Sequence, residues 1–227
     1  MDVSNLVQTV AIYALPVLFA ITLHEAAHGY VARHFGDMTA YAQGRISLNP
    51  ARHIDLQGTI VAPLILLILS GGKFVFGWAK PVPVNYSALK TPKRDMALVA
   101  AAGPGVNLLM AVAWGVLLKV AVEMPSGYFT APLVQMAIAG VGINMSLMLI
   151  NLLPILPLDG GRILAGLLPA KLSHEYSKAE RWSGLLFTGI LVAGIADSWL
   201  NNGRHVREFF GPLNGLIRSV LHAIVDF

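Results

Sequence analysis

The chain has 227 residues, of which 56% are hydrophobic and only 12% charged, with a formal net charge of +4. Soluble globular domains carry roughly a quarter charged residues, so this composition, with a mean hydropathy of +0.65, excludes an ordinary soluble domain and points to a membrane. The excess of Lys and Arg is dispersed rather than clustered, which suits membrane-flanking loops better than nucleic acid, and the absence of cysteine excludes disulfides and thiolate metal sites.

In chain order, the first apolar stretch runs from about Leu6 to Ala32, long enough to cross a hydrocarbon core of roughly 30 Å. It has no basic n-region and runs on into a His/Glu cluster instead of a small-residue cleavage site, so residues 1–32 are expected to stay in the mature protein. A second stretch spans Thr59 to Phe76, a third about Met96 to Val122, a fourth about Ala131 to Leu156 and a fifth about Gly184 to Leu200. A final piece, Phe209 to Phe227, is apolar on one side and reads as an interfacial or packed end helix.

Basic residues sort the loops. Arg33, Arg45 and Arg52 lie in residues 33–58 after the first stretch, Lys73, Lys80, Lys90, Lys93 and Arg94 in residues 73–95 at and after the end of the second, and Arg162, Lys171, Lys178 and Arg181 follow the fourth, whereas Lys119 stands alone near the loop after the third. If every stretch crossed once, the positive charge would fall on both sides. If the proline- and glycine-bearing second stretch enters and leaves on one side, the basic loops all face the cytoplasm. The expectation is an all-α polytopic membrane protein of about five to six segments with one re-entrant segment. The proline-punctuated segments Arg45 to Pro50 and Lys80 to Asn85 are expected as short edge strands on the cytoplasmic side. The whole of 1–227 reads as one membrane domain, with a motif-bearing core at about 15–170 and a membrane segment and tail at about 183–227.

Within the first stretch, His24, Glu25 and His28 form H-E-x-x-H. Residues four apart share a helix face, so the two imidazoles can converge on one metal ion, with Glu25 beside them to accept a proton from an activated water. Two core histidines spaced by chance are the plain alternative, but ionisable groups at membrane depth are costly and usually functional. A catalytic zinc takes three protein ligands, and without cysteine the third is His, Asp or Glu. Asp159, which follows Pro154 and Pro157, is the outstanding acidic residue at the end of an apolar stretch. An ordinary Asp-Gly turn explains it equally well on its own; the re-entrant topology, however, brings Asp159 to the same side as the histidines.

H-E-A-A-H in the first helix, A-G-P-G-V-N at Ala102 to Asn107 and N-L-L-P-I-L-P-L-D-G-G at Asn151 to Gly161 together resemble the site-2 protease family of intramembrane metalloproteases. The likeness covers roughly residues 15 to 170, and the stretch Phe76 to Asn85 is similar to the loop of the compact prokaryotic branch. The resemblance implies one zinc ion held by His24, His28 and Asp159, with Glu25 as general base and cleavage of a membrane-embedded substrate segment. It also makes Asn107 and Asn151 candidates to orient substrate or the oxyanion, although inter-helical hydrogen bonding is the simpler use of such residues. By the same resemblance, the expected partners are a transmembrane protein substrate and the bilayer of a prokaryotic plasma membrane, with no nucleic acid and the active site near the cytoplasmic face. No room is seen for the inserted or appended regulatory domains of other members.

His34, His53, His174, His205 and His222 are expected at the surface or interface, with His53 the one that could flank the site entrance. Trp78, Trp182 and Trp199 read as interface anchors, and Trp114 as packing. A di-iron hydroxylase would need more clustered histidines, and a transporter would show paired broken segments in related halves. A proteolytically silent homologue serving as a membrane scaffold would have no use for Glu25.

Overall fold

The computed structural model describes residues 3–71 and 77–226. Helix α1 (Val3–His34) is followed by a one-turn helix at Thr39–Ala42 and an irregular loop, then a π-helical turn at Leu56–Val61 that runs into α2 (Ala62–Leu69). Helices α3 (Pro92–Glu123) and α4 (Thr130–Asn151) form the long antiparallel pair of the core. The short α5 (Asp159–Leu167) and α6 (Ala170–Lys178) lead through a 3-10 turn into α7 (Ser183–Leu200), and α8 (Arg204–Phe209) and α9 (Gly211–Asp226) close the chain. Among the described residues, four stretches are long and apolar enough to cross a membrane: Val7–His34, Pro92–Glu123, Thr130–Asn151 and Ala170–Leu200. The chain is an all-helical integral membrane protein.

The core sits between α3 and α4. Ala111, Trp114, Leu118, Ala137, Val141 and Met145 are buried together there, and α9 lays Ile217, Val220, Leu221 and Ile224 over them. Gly140 makes the fit possible, because a Cβ at that position would lie 2.2 Å from the Trp114 ring. The expected amphipathic end piece is thus a packed helix. Helix α4 stops at Asn151, short of the end of its apolar run, since Pro154 and Pro157 lack the N–H groups that would continue it.

The second apolar stretch departs from its expected bounds. It begins at Leu56 and is helical to Leu69, and its last residues, 72–76, lie outside the described residues. Its two ends meet: the Trp78 amide donates to the Gly58 carbonyl at 3.0 Å, and Thr59 Oγ1 donates to the Trp78 carbonyl at 2.9 Å. Gly58 has no side chain to obstruct this contact, and a Cβ there would meet the Trp78 indole at 2.3 Å.

The expected edge strands do not form, as no strand occurs among the described residues. The segment from Lys80 to Asn85 carries prolines at 81 and 83, which remove two ladder donors from six residues. Side chains take up its backbone groups instead. Arg45 donates to the carbonyls of Lys80 and Pro81 at 3.0 and 3.2 Å, Glu25 Oε2 accepts from the Val82 amide at 2.7 Å, and Asp37 Oδ2 accepts from the Asn85 amide at 2.7 Å. The result is a strap laid across the end of α1, with Val82 and Leu89 buried beneath it.

Candidate metal centre

Helix α1 presents His24 and His28 on one face, and α3 crosses that face at Gly103. A Cβ on Gly103 would lie 2.5 Å from both His24 Cε1 and His28 Nε2, so only glycine leaves the rings their space. Asp159 comes to the same point because the chain between α4 and α5 folds back tightly. Gly160 and Gly161 pack directly on backbone there, and a Cβ on either would meet the Leu152 carbonyl at 2.2 Å or the Ile155 carbonyl carbon at 2.6 Å. The L-D-G-G run is therefore a steric requirement: the two glycines let the first turn of α5 reach the site with Asp159 at its head.

The potential ligand atoms of His24, His28 and Asp159 all lie within 4.8 Å of one another. His24 Nε2 is 3.2 Å from Asp159 Oδ2, His28 Nε2 is 3.4 Å from Asp159 Oδ1, and the two Nε2 atoms are 3.1 Å apart. The donor set has the chemistry of a cation site. His28 Nδ1 contacts the Val99 carbonyl at 2.8 Å; a carbonyl can only accept, so that nitrogen carries the hydrogen and the neutral ring turns a bare Nε2 inward. Asp159 Oδ2 is buried and, despite its closeness to His24, has no hydrogen bond of acceptable geometry. Burial pushes the Asp159 carboxyl up, but the imidazoles of His24 and His28 more than offset this and hold it at about 2. Two imidazoles and an ionised carboxylate turned on one point fit a tetrahedral divalent ion with one position left open.

The other candidates fall in different surroundings. Asn107 is fully buried, and its Oδ1 lies 2.6 Å from His24 Nδ1. Asn151 is half-buried and donates to the Leu147 carbonyl of its own helix at 3.0 Å. Glu25, next to His24 in the chain, engages the strap through Val82. His53 corrects the expectation of a surface residue: it is 1% exposed, with Nε2 at 2.7 Å from the Ser47 carbonyl and its own carbonyl accepting from Lys80. It anchors the start of the strap. His34, His174, His205 and His222 are exposed. Trp78, Trp182 and Trp199 are also exposed, while Trp114 is buried.

Sequence reasoning missed Asn144, the Val82 amide, Arg45 and Asp37. Asp37 is fully buried, with Oδ1 accepting from the Thr39 amide and Oδ2 from Asn85. Burial pushes its carboxyl up, and the Thr39 side chain with the Thr39 and Asn85 amides outweighs that and brings it below the ordinary carboxylate range. A polar residue in an otherwise apolar helix was the one signal Asn144 offered.

Comparison with known proteins agrees with this geometry. The model of peptidase family M50 matches residues 119–193. A Bacillus subtilis protein named "Putative zinc metalloprotease YwhC" is 39% identical over 198 residues, 84% of this chain and 86% of its own length. Mycobacterial proteins named Rip2 carry the same zinc metalloprotease designation. The one from Mycolicibacterium smegmatis is 26% identical and the one from Mycobacterium tuberculosis strain H37Rv 28%, each over 80% of this chain and 67% of the relative. No solved structure matches the chain.

Proposed function

This chain belongs to peptidase family M50, the site-2 protease family of zinc metalloendopeptidases, and we propose that it hydrolyses a peptide bond in or near a transmembrane segment of a membrane-protein substrate. The observation that carries this reading is the convergence of His24, His28 and Asp159 from the end of one membrane-length helix and the turn after another. A soluble peptide has no need of a site built into such helices.

In this reading His24 Nε2, His28 Nε2 and one Asp159 oxygen hold the zinc. When bound, the ion supplies a Lewis acid that activates water and polarises the scissile carbonyl. Glu25 accepts the proton from the attacking water and returns it to the leaving amine. Its Oε2 accepts from the Val82 amide, and the carboxylate has a second oxygen to take the proton, so the strap holds the base in place. Asn107 acts on the substrate only through His24, whereas Asn151, half-exposed near the Asp159 turn, is the one placed to orient a substrate backbone. A helical scissile bond is hidden by its own hydrogen bonds, so the substrate unwinds locally, and the extended strap offers it a backbone edge.

The same proposal includes a re-entrant second segment, supported by the meeting of its two ends at Gly58 and Trp78, and a site near the cytoplasmic face of a prokaryotic plasma membrane, supported by the basic loops. The decisive experiment is zinc content and cleavage of a transmembrane substrate by purified protein, wild type beside Glu25→Gln. Wild type is expected to hold about one zinc and cleave. Glu25→Gln keeps the metal and loses roughly 10²–10⁴-fold in rate, the span of general-base catalysis. A wild type that folds without binding zinc overturns the proposal.

A further inference from the structure

Behind His24 lies a chain of buried amides that no catalytic role requires. Asn107 on α3 and Asn144 on α4 are both fully buried. Asn144 Nδ2 donates to the Gly140 carbonyl at 2.9 Å, Asn107 Nδ2 donates to Asn144 Oδ1 at 2.9 Å, and Asn107 Oδ1 faces His24 Nδ1 at 2.6 Å. Three of the membrane-length helices are thereby joined at one level.

The direction of this chain follows from its far end. A backbone carbonyl can only accept a hydrogen bond, so Gly140 obliges Asn144 to turn its NH₂ that way and its oxygen toward Asn107. Asn107 must then turn its NH₂ toward Asn144 and its oxygen toward His24. An oxygen can only accept, so the His24 hydrogen sits on Nδ1, and Nε2 is left bare, facing Asp159 and His28. A second and longer contact, Asn107 Nδ2 to the Ala20 carbonyl at 3.4 Å, works in the same sense. His28 reaches the same state in one step through Val99. The two ligands are thus set by different means, one by backbone directly and one by a two-residue amide relay.

We propose that Asn144 is a positioning residue of the metal centre, which, by fixing the polarity of Asn107, holds His24 in the tautomer and orientation that a metal ligand needs. This inference rests on the reading of His24 as a ligand. Partners that hold a ligating histidine by its second nitrogen typically change metal affinity 10–100-fold when removed. Asn144→Ala, which leaves the Ala20 contact in place, belongs at the lower end of that range. Asn107→Leu, which removes both anchors and the acceptor itself, belongs at the upper end.

The test reads the ring nitrogens directly. Histidine ¹⁵N spectra of the metal-free full-length protein in detergent, at a pH where both rings are neutral, report which nitrogen carries the hydrogen. Zinc affinity is measured in parallel by competition with a chelator. Wild type is expected to show His24 and His28 both protonated at Nδ1. In Asn144→Ala the His24 signals move toward a mixture of tautomers, His28 stays unchanged as the internal control, and zinc affinity falls about tenfold. A wild-type His24 carrying its hydrogen on Nε2 overturns the relay, and needs no variant to fold. So does an Asn144→Ala protein whose His24 signals and zinc affinity match wild type, and so does one in which both rings change together, as a general loosening of the bundle would cause. Zinc-free behaviour of wild type under saturating metal overturns the ligand reading instead, and the ring signals still decide the relay.

Discussion

The metal centre and the α7 segment are both built of apolar, membrane-length helix, yet they are organised in opposite ways. Around His24 and His28 the helices α1, α3 and α4 approach through Gly103, Asn107 and Asn144, and the polar side chains there are tied across helices. Along α7, Leu185, Leu186, Ile190, Val192, Trp199 and Leu200 are exposed, and Trp199 Nε1 donates to the Leu69 carbonyl of α2 at 2.6 Å. In a bilayer an exposed Leu costs nothing, because lipid tails are as apolar as the protein interior, so association there depends on close packing and hydrogen bonds. Precision is therefore concentrated where amide side chains tie one helix to another, and α7, although it carries Gly184, Gly189, Ala193 and Gly194, has no amide side chain.

That contrast sets the order of expected mutational effects. The largest lies at the crossing of α1 and α3. Gly103→Ala forces its Cβ into both imidazoles, and overpacking of this kind costs about 1–3 kcal/mol. Zinc affinity is expected to fall by at least about tenfold, as for other displaced ligands, in the same chelator competition. An alanine variant with wild-type affinity would show that the crossing is soft.

A smaller effect is expected at the strap. Asp37→Asn keeps one acceptor for the Thr39 and Asn85 amides but loses the charge, and hydrogen bonds to a charged group contribute about 1.5–3 kcal/mol. The wild-type carboxyl is lowered in the folded state, so its contribution is complete above the unfolded pKa and is lost as pH falls through the folded one. Limited proteolysis between Lys80 and Lys90 should therefore accelerate in wild type only below about pH 4, the unfolded value, and be faster and free of that transition in Asp37→Asn.

The smallest effect belongs to α7. Trp199→Phe removes the bond to Leu69, a net loss of about 1 kcal/mol, and is expected to leave zinc affinity within about twofold of wild type because no ligand or ligand partner lies on this helix. Hydrogen exchange at α7 should rise while that at α1 does not. Equal change at both would erase the distinction between the two regions.

The cluster of His24, His28 and Asp159 was legible because each of the three is marked locally. H-E-x-x-H uses the helical repeat itself, and the prolines before Asp159 and the glycines after it mark a forced turn. The boundaries of α3 and α7 and the start of α4 were legible for a similar reason, as long apolar runs between polar loops. What escaped was decided across the chain. Val82 finds Glu25 fifty-seven positions away and Asn107 finds His24 eighty-three away, and no periodicity encodes such pairings. The expected strands failed on a countable point, that a segment with two prolines in six residues offers too few donors to hold a neighbour, and carboxylates and an arginine took the place of a ladder.

The meeting of Gly58 with Trp78 has a consequence for how such a chain can change over time. When the two ends of a stretch are held at one spot, closing a somewhat longer or shorter loop between them alters the free energy only slowly. A change of length between Gly58 and Trp78 is thus expected to leave His53 and the strap in place, and the contact it would disturb is the bond from Trp199 to Leu69.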